Sequence, residues 1–63
     1  MVIMNKRPYR VEVREEGFEG AFIFRGIAAE NKNEACAEGI ASYVAFMSET
    51  EIAPLSAVAY LEK

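Results

Sequence analysis

The stretch "GAFIFRGIAA", residues 20–29, opens on glycine, is built largely of Phe, Ile and Ala, and reads as a β-strand. Successive strand side chains point to opposite faces. Simple alternation therefore sets Phe22 and Phe24 on one face, and Ala21, Ile23, Arg25 and Ile27 on the other. A strand with one face on a core and one in water carries its apolar residues on a single face. Here both faces are apolar, so the fold turns on what covers the second.

Upstream, "YRVEVREE" (9–16) alternates cleanly, with Tyr9, Val11 and Val13 against Arg10, Glu12 and Arg14. That is the pattern of a half-buried strand. Gly17 in "EEGF" supplies the freedom a tight turn requires. A two-residue Glu16–Gly17 loop would set Val13 against Gly20, Val11 against Phe22 and Tyr9 against Phe24, with Arg14 facing Glu19. This register pairs opposite charges and stacks aromatic on β-branched residues. It predicts an inner face of Tyr9, Val11, Val13, Phe22 and Phe24.

Downstream, "NKNEACAEGIASYVAFMSE" (31–49) predicts a helix that ends within 47–52. Asn31 and Glu34 have the spacing of a capping box. At about 100° per residue, Cys36, Ile40, Tyr43, Val44 and Met47 form an apolar stripe, with Glu34, Glu38 and Ala45 opposite. Beside it runs a shallow strip of Ala35, Gly39, Ser42 and Phe46. Gly39 costs the helix about 1 kcal/mol relative to alanine, which marks a close approach by another helix or an aromatic side chain. Pro54 closes the segment. "LSAVAYLEK" (55–63) is a third strand, with Val58 and Tyr60 on one face and Leu55, Ala57, Ala59 and Leu61 on the other. The expected fold is a small α+β domain of ββαβ order. It has a three-stranded, mainly antiparallel sheet in the order 2-1-3, with strand 3 parallel to strand 2 and the helix on one face. Residues 1–63 form one domain, with 1–7 as a flexible or interface-forming N-terminal arm.

A chain of 63 residues buries only about 60% of the surface its unfolded form exposes, so its own core is thin. Yet 52% of the residues are hydrophobic, which points to apolar surface shared with another chain. The single cysteine, Cys36, cannot form an internal disulfide, and it reads as a small core residue. With no histidine there is no metal-ligand set, and neither metal nor cofactor is expected. "MVIM" is short for a signal peptide's apolar region, and "YVAFM" falls far below the ~20 residues of a membrane helix. The expectation is a cytoplasmic protein with no membrane partner.

The same inventory argues against catalysis. Histidine, the side chain best suited to proton exchange near neutral pH, is missing, and Cys36 has no evident base. Glu15 and Glu16 are adjacent in a turn and point apart. "GFEGAFIFRG" (17–26) lacks the spacing of a phosphate-binding loop.

Charge divides unevenly. Residues 1–29 carry five cations against four glutamates, a net +1, and residues 30–63 carry two against six, a net −4. Neither half holds a block of like charge. Glu30, Glu34 and Glu38 form a solvated helix row. Arg10, Arg14 and Arg25 share the outer sheet face and offer an alternative, nucleic-acid contact, diluted there by Glu12 and Glu19.

The segment "ENKNEACAEGIASYVAF" (30–46), following two strands, resembles the helix of HicB-type antitoxin domains. The likeness is confined to that segment, holds no functional motif, and lacks one strand those domains place before the helix. From size and composition the expected function is a non-enzymatic interaction module. It would act as a homodimer that binds and modulates or inhibits a larger macromolecule, in the manner of mobile-element or phage accessory proteins and antitoxin-like regulators. The expected interface, to self or partner, is Ala21, Ile23, Arg25, Ile27, Gly39 and Phe46.

Overall fold

β1 (Arg7–Glu15) lies at the centre because its alternation sets Tyr9, Val11 and Val13 together on one face. Val11 and Val13 are completely buried there and Tyr9 nearly so. In the computed structural model, which describes residues 5–47 and 53–62, two strands flank β1 antiparallel. They are β2 (Phe22–Ala29) and β3 (Leu55–Leu61), giving the order β2-β1-β3. Helix α1 (Lys32–Met47) packs Ala35 and Tyr43 onto the inner face of this sheet, completing an α+β domain of ββαβ order. Arg7 already pairs with Ala29, so the sheet begins inside the segment expected to be an arm, of which residues 1–4 lie outside the described residues.

The hairpin register differs from the expected one by two residues. Val13 pairs with Phe22 and Val11 with Phe24. The cause is a longer turn. The Phe18 N–H donates to the Glu15 carbonyl at 3.1 Å, and Gly17 and Gly20 both take positive φ, at 89° and 83°. A shift of two preserves side-chain parity, so Phe22 and Phe24 still face inward. Arg14 reaches the Gly20 carbonyl, its Nη1 donating at 3.5 Å, in place of an opposing Glu19.

A second difference changes the faces. Between Tyr9 and Val11, β1 advances two residues while β2 advances three, from Ile27 to Phe24. The extra residue forms a bulge around Gly26, whose φ of 68° suits glycine. Its N–H donates to Glu62 Oε1 at 2.8 Å. Past the bulge the alternation is inverted. Ile27, expected on the outer face, packs against the core, and Ala29 is completely buried.

Helix α1 starts as its cap predicts, with Asn31 Oδ1 accepting from the Glu34 N–H at 2.8 Å and the Asn31 carbonyl from the Ala35 N–H at 3.0 Å. The buried line is Ala35, Gly39 and Tyr43; of the expected stripe Tyr43 is buried as expected, while Ala35 and Gly39 take the places expected of Ile40 and Val44. Cys36 and Met47 do pack against the core, Ile40 is half-buried and Val44 is exposed. The helix is rotated because small residues allow the closest approach. A Cβ on Gly39 would stand 2.9 Å from Val11 Cβ and nearer still to its Cγ1. The close approach at Gly39 is thus made by a strand of the same chain, and this position is internal to the domain. Part of the region expected to hold the helix end, 48–52, lies outside the described residues.

Candidate interaction surface

The face of the sheet opposite α1 is assembled by the registers of β1. Glu12 pairs with Ile23 on one side and with Val58 on the other, forming a row across all three strands. In the row on one side of it Arg10 pairs with Tyr60, and in the row on the other side Arg14 pairs with Ser56. Ile23 is 54% exposed, Val58 50% and Tyr60 42%. Single exposed apolar residues are ordinary on protein surfaces; here three share one sheet face, with Ile23 and Val58 on either side of Glu12.

The charges in this face are engaged with one another. Glu12 Oε2 lies 3.7 Å from Arg10 Nη2, and its Oε1 lies 4.0 Å from Arg14 Nη2. Pairs this exposed add little stability; their consequence is that the Glu12 carboxylate is compensated, with a net positive charge left over from the two arginines. The Arg10 guanidinium also lies over the Tyr60 ring, 4.7 Å from its centroid, a cation–π arrangement. Its Nε is buried with no hydrogen-bond partner, so the ring and Glu12 between them hold the group in place. Arginine and tyrosine, enriched in the central parts of protein interfaces, stand here side by side.

A second apolar cluster flanks the β2 edge on the helix side. Phe22 meets Tyr43 edge-on, with centroids 5.1 Å apart, and Phe46 at 6.0 Å. Phe22 is 45% exposed and Phe46 67%.

Of the expected interface residues, Ala21, Ile23 and Arg25 fall at the β2 side of the sheet, the last two exposed, and Phe46 falls in the cluster beside that edge. Ile27 and Gly39 do not join them, since both point into the core region. Sequence reading overlooked Val58 and Tyr60 as partners of Ile23. The signal was present: their parity in β3 matches that of Arg10 and Glu12 once β3 is laid antiparallel on β1. The three arginines of the nucleic-acid alternative are spread out, with Arg10 and Arg14 on either side of Glu12 and Arg25 on the outer strand.

Glu15 belongs to the interior scaffold. Its Oε1 accepts from the Tyr43 hydroxyl at 2.5 Å and its Oε2 from the Ala53 N–H at 3.2 Å, tying β1 to the helix and to the chain entering β3. An open depression of about 440 Å³ lies beside it, lined among others by Arg14, Glu15, Phe18 and Ser56. Of its charged groups, Arg14 and Glu15 are already engaged within the chain. The Cys36 thiol donates to the Ala57 carbonyl at 3.6 Å. Among the described residues no cluster of His, Cys, Asp and Glu is placed to hold a metal ion, and no helix is long and apolar enough to cross a membrane. No family model, curated protein or solved structure matches the chain.

Proposed function

We propose that the chain is a non-enzymatic interaction module that binds, and modulates or inhibits, a larger protein through the outer sheet face. The observation that carries this reading is the row Ile23–Glu12–Val58 with Tyr60 beside it: exposed apolar side chains around a carboxylate that two arginines pair with. Desolvating a charge against a partner is costly unless it is already paired. Here Glu12 is paired in advance, so an apolar partner surface can close over the row. Arg14 and Arg25 at the rim favour a partner whose own rim carries carboxylates. A regulator of the antitoxin or phage-accessory kind works by such occlusion, and residence in the cytoplasm would suit it.

The test is affinity capture with the parent chain and with Val58→Lys, each with and without nuclease, followed by rebinding of the purified captured protein. Nuclease-resistant binding that Val58→Lys abolishes, in a variant that still folds by circular dichroism, is the expected result. The competing reading, nucleic-acid binding, draws on the Arg10–Tyr60 stack. It requires binding that falls steeply with salt, and capture lost on nuclease treatment would replace the protein-partner reading with it.

A further inference from the structure

β2 is an edge strand of the sheet, and it is apolar on both sides of that edge. Ile23 projects on the outer face, while Phe22 projects on the inner face beside Phe46 of the helix. Natural edge strands are normally guarded by charge, proline or a bulge. In β2 such guards appear only at Arg25 and the Gly26 bulge, and the stretch Phe22–Phe24 has none. We propose that a second copy of this chain pairs antiparallel with the β2 edge about a two-fold axis at Ile23, forming one continuous six-stranded sheet. This rests on the reading of the chain as an interaction module, and it leaves Val58 and Tyr60 of each copy free for the larger partner.

The geometry selects the register. A two-fold axis normal to the sheet keeps the two helices on one side, so opposed residues must come from the same face. The pairing is therefore centred on a residue. Centred on Phe22, it runs into Gly20, whose φ of 83° ends the extended strand. Centred on Phe24, it sets Ile23 against an arginine and Phe22 against the bulged glycine. Centred on Ile23, it opposes Ile23 to its own copy and Phe22 to the partner's Phe24. Both are favourable cross-strand pairs.

The exposed side chains at this edge supply a large part of the area that association needs. An aromatic side chain buries ~150–250 Å², and Phe22, Ile23 and Phe46 are each about half exposed or more. Together they offer roughly 300 Å² per copy and ~600 Å² per pair, before any backbone is counted. That is more than half of the ~1,000 Å² that a specific interface needs. A dimer that forms and dissociates at micromolar concentrations is the consequence.

Sedimentation of the full chain and three variants tests this. The parent should sediment as a dimer at high micromolar concentration. Ile23→Lys and Phe46→Ser should each shift it to monomer at the same concentration, and Val58→Lys should remain dimeric. A parent that stays monomeric overturns the proposal. So does dimer loss in Val58→Lys alone, which would place the seam at β3. Loss in Ile23→Lys and Val58→Lys with Phe46→Ser still dimeric would mean stacked outer faces, again overturning it. Should a lysine variant fail to fold, Ile23→Cys in a Cys36→Ser background gives an independent readout. Directly opposed Cβ atoms stand ~4.5–5.5 Å apart, so oxidation should yield a linked dimer faster than it does for Ala21→Cys in the same background. Equal rates would refute the register. A parent that captures its partner while sedimenting only as a monomer removes this inference and leaves the proposed function standing.

Discussion

Replacing Gly39 by alanine opposes two effects whose sizes can be set side by side. In an exposed helix the change stabilises by about 1 kcal/mol, through lower backbone entropy in the unfolded chain. Gly39, however, is buried against β1, and the new methyl group would meet Val11 Cβ at 2.9 Å. Ordinary carbon–carbon contacts lie at ~3.5–4.0 Å, so the helix must lift by roughly half an ångström or more. Val11 cannot swing aside, since it is completely buried and β-branched. Lifting the helix also loosens Ala35 and Tyr43, its other contacts with the core. Overpacking of this kind costs ~1–3 kcal/mol, and the backbone-mediated case belongs at the upper end. The net expectation for Gly39→Ala is a loss of ~1–2 kcal/mol, measured by urea unfolding. For a chain of this length total stability is only a few kcal/mol, so the midpoint should fall markedly. The same substitution in a Val11→Ala background should cost less than it does in the parent, because the nearer Cγ1 is gone while the 2.9 Å contact with the residue 11 Cβ remains. A Gly39→Ala variant more stable than the parent would refute the close approach itself.

Two further outcomes follow from the local geometry. Gly26→Ala meets no neighbour within 4 Å but must keep a φ of 68°, so it should lose ~1–2 kcal/mol in urea unfolding through backbone strain alone; an unchanged midpoint would deny the bulge. Tyr43→Phe removes the hydroxyl that Glu15 Oε1 accepts from and should cost ~1–3 kcal/mol. Combined with Glu15→Ala, it should fall short of the summed single effects, and strict additivity would show that the two side chains do not communicate.

Where the sequence carried a period without interruption, its reading and the structure coincide. β1 alternates without a break, and its inner and outer faces are as expected. The helix cap at Asn31 and the order β2-β1-β3 also agree. The departures have local causes. Ile27 was assigned outward by extending the alternation of Phe22 and Phe24 through Gly26, although an isolated glycine within a strand is itself the sign of a bulge. The expected helix stripe is right at Tyr43 but takes in Ile40 and Val44, whereas the closest packing falls on the small residues Ala35 and Gly39 beside it. The propensity cost of Gly39 was the visible sign of that, and what it could not reveal was which neighbour came close. Glu15 gave no sign at all, because its partners Tyr43 and Ala53 are distant in sequence and meet it only after the fold closes.

These same small residues account for the surface. The inner side of the sheet and the helix meet through Ala29, Ala35, Gly39, Ala57 and Ala59, all buried or packed on the buried core. Such residues let the layers approach closely, but they hold little apolar area, since the yield of burial scales with the area removed from water. The large apolar side chains that a thicker core would absorb stand outside it: Phe22, Ile23, Phe46, Val58 and Tyr60 are all exposed. A composition of 52% hydrophobic residues in a chain of this size therefore goes with a thin interior and an adhesive exterior. Enlarging the interior would require the helix to move away from the sheet, and Gly39 against Val11 is the contact that holds it near. The close packing inside and the unpartnered row outside are thus two results of one arrangement. Under the proposals made above, these outward apolar residues complete their burial against another chain.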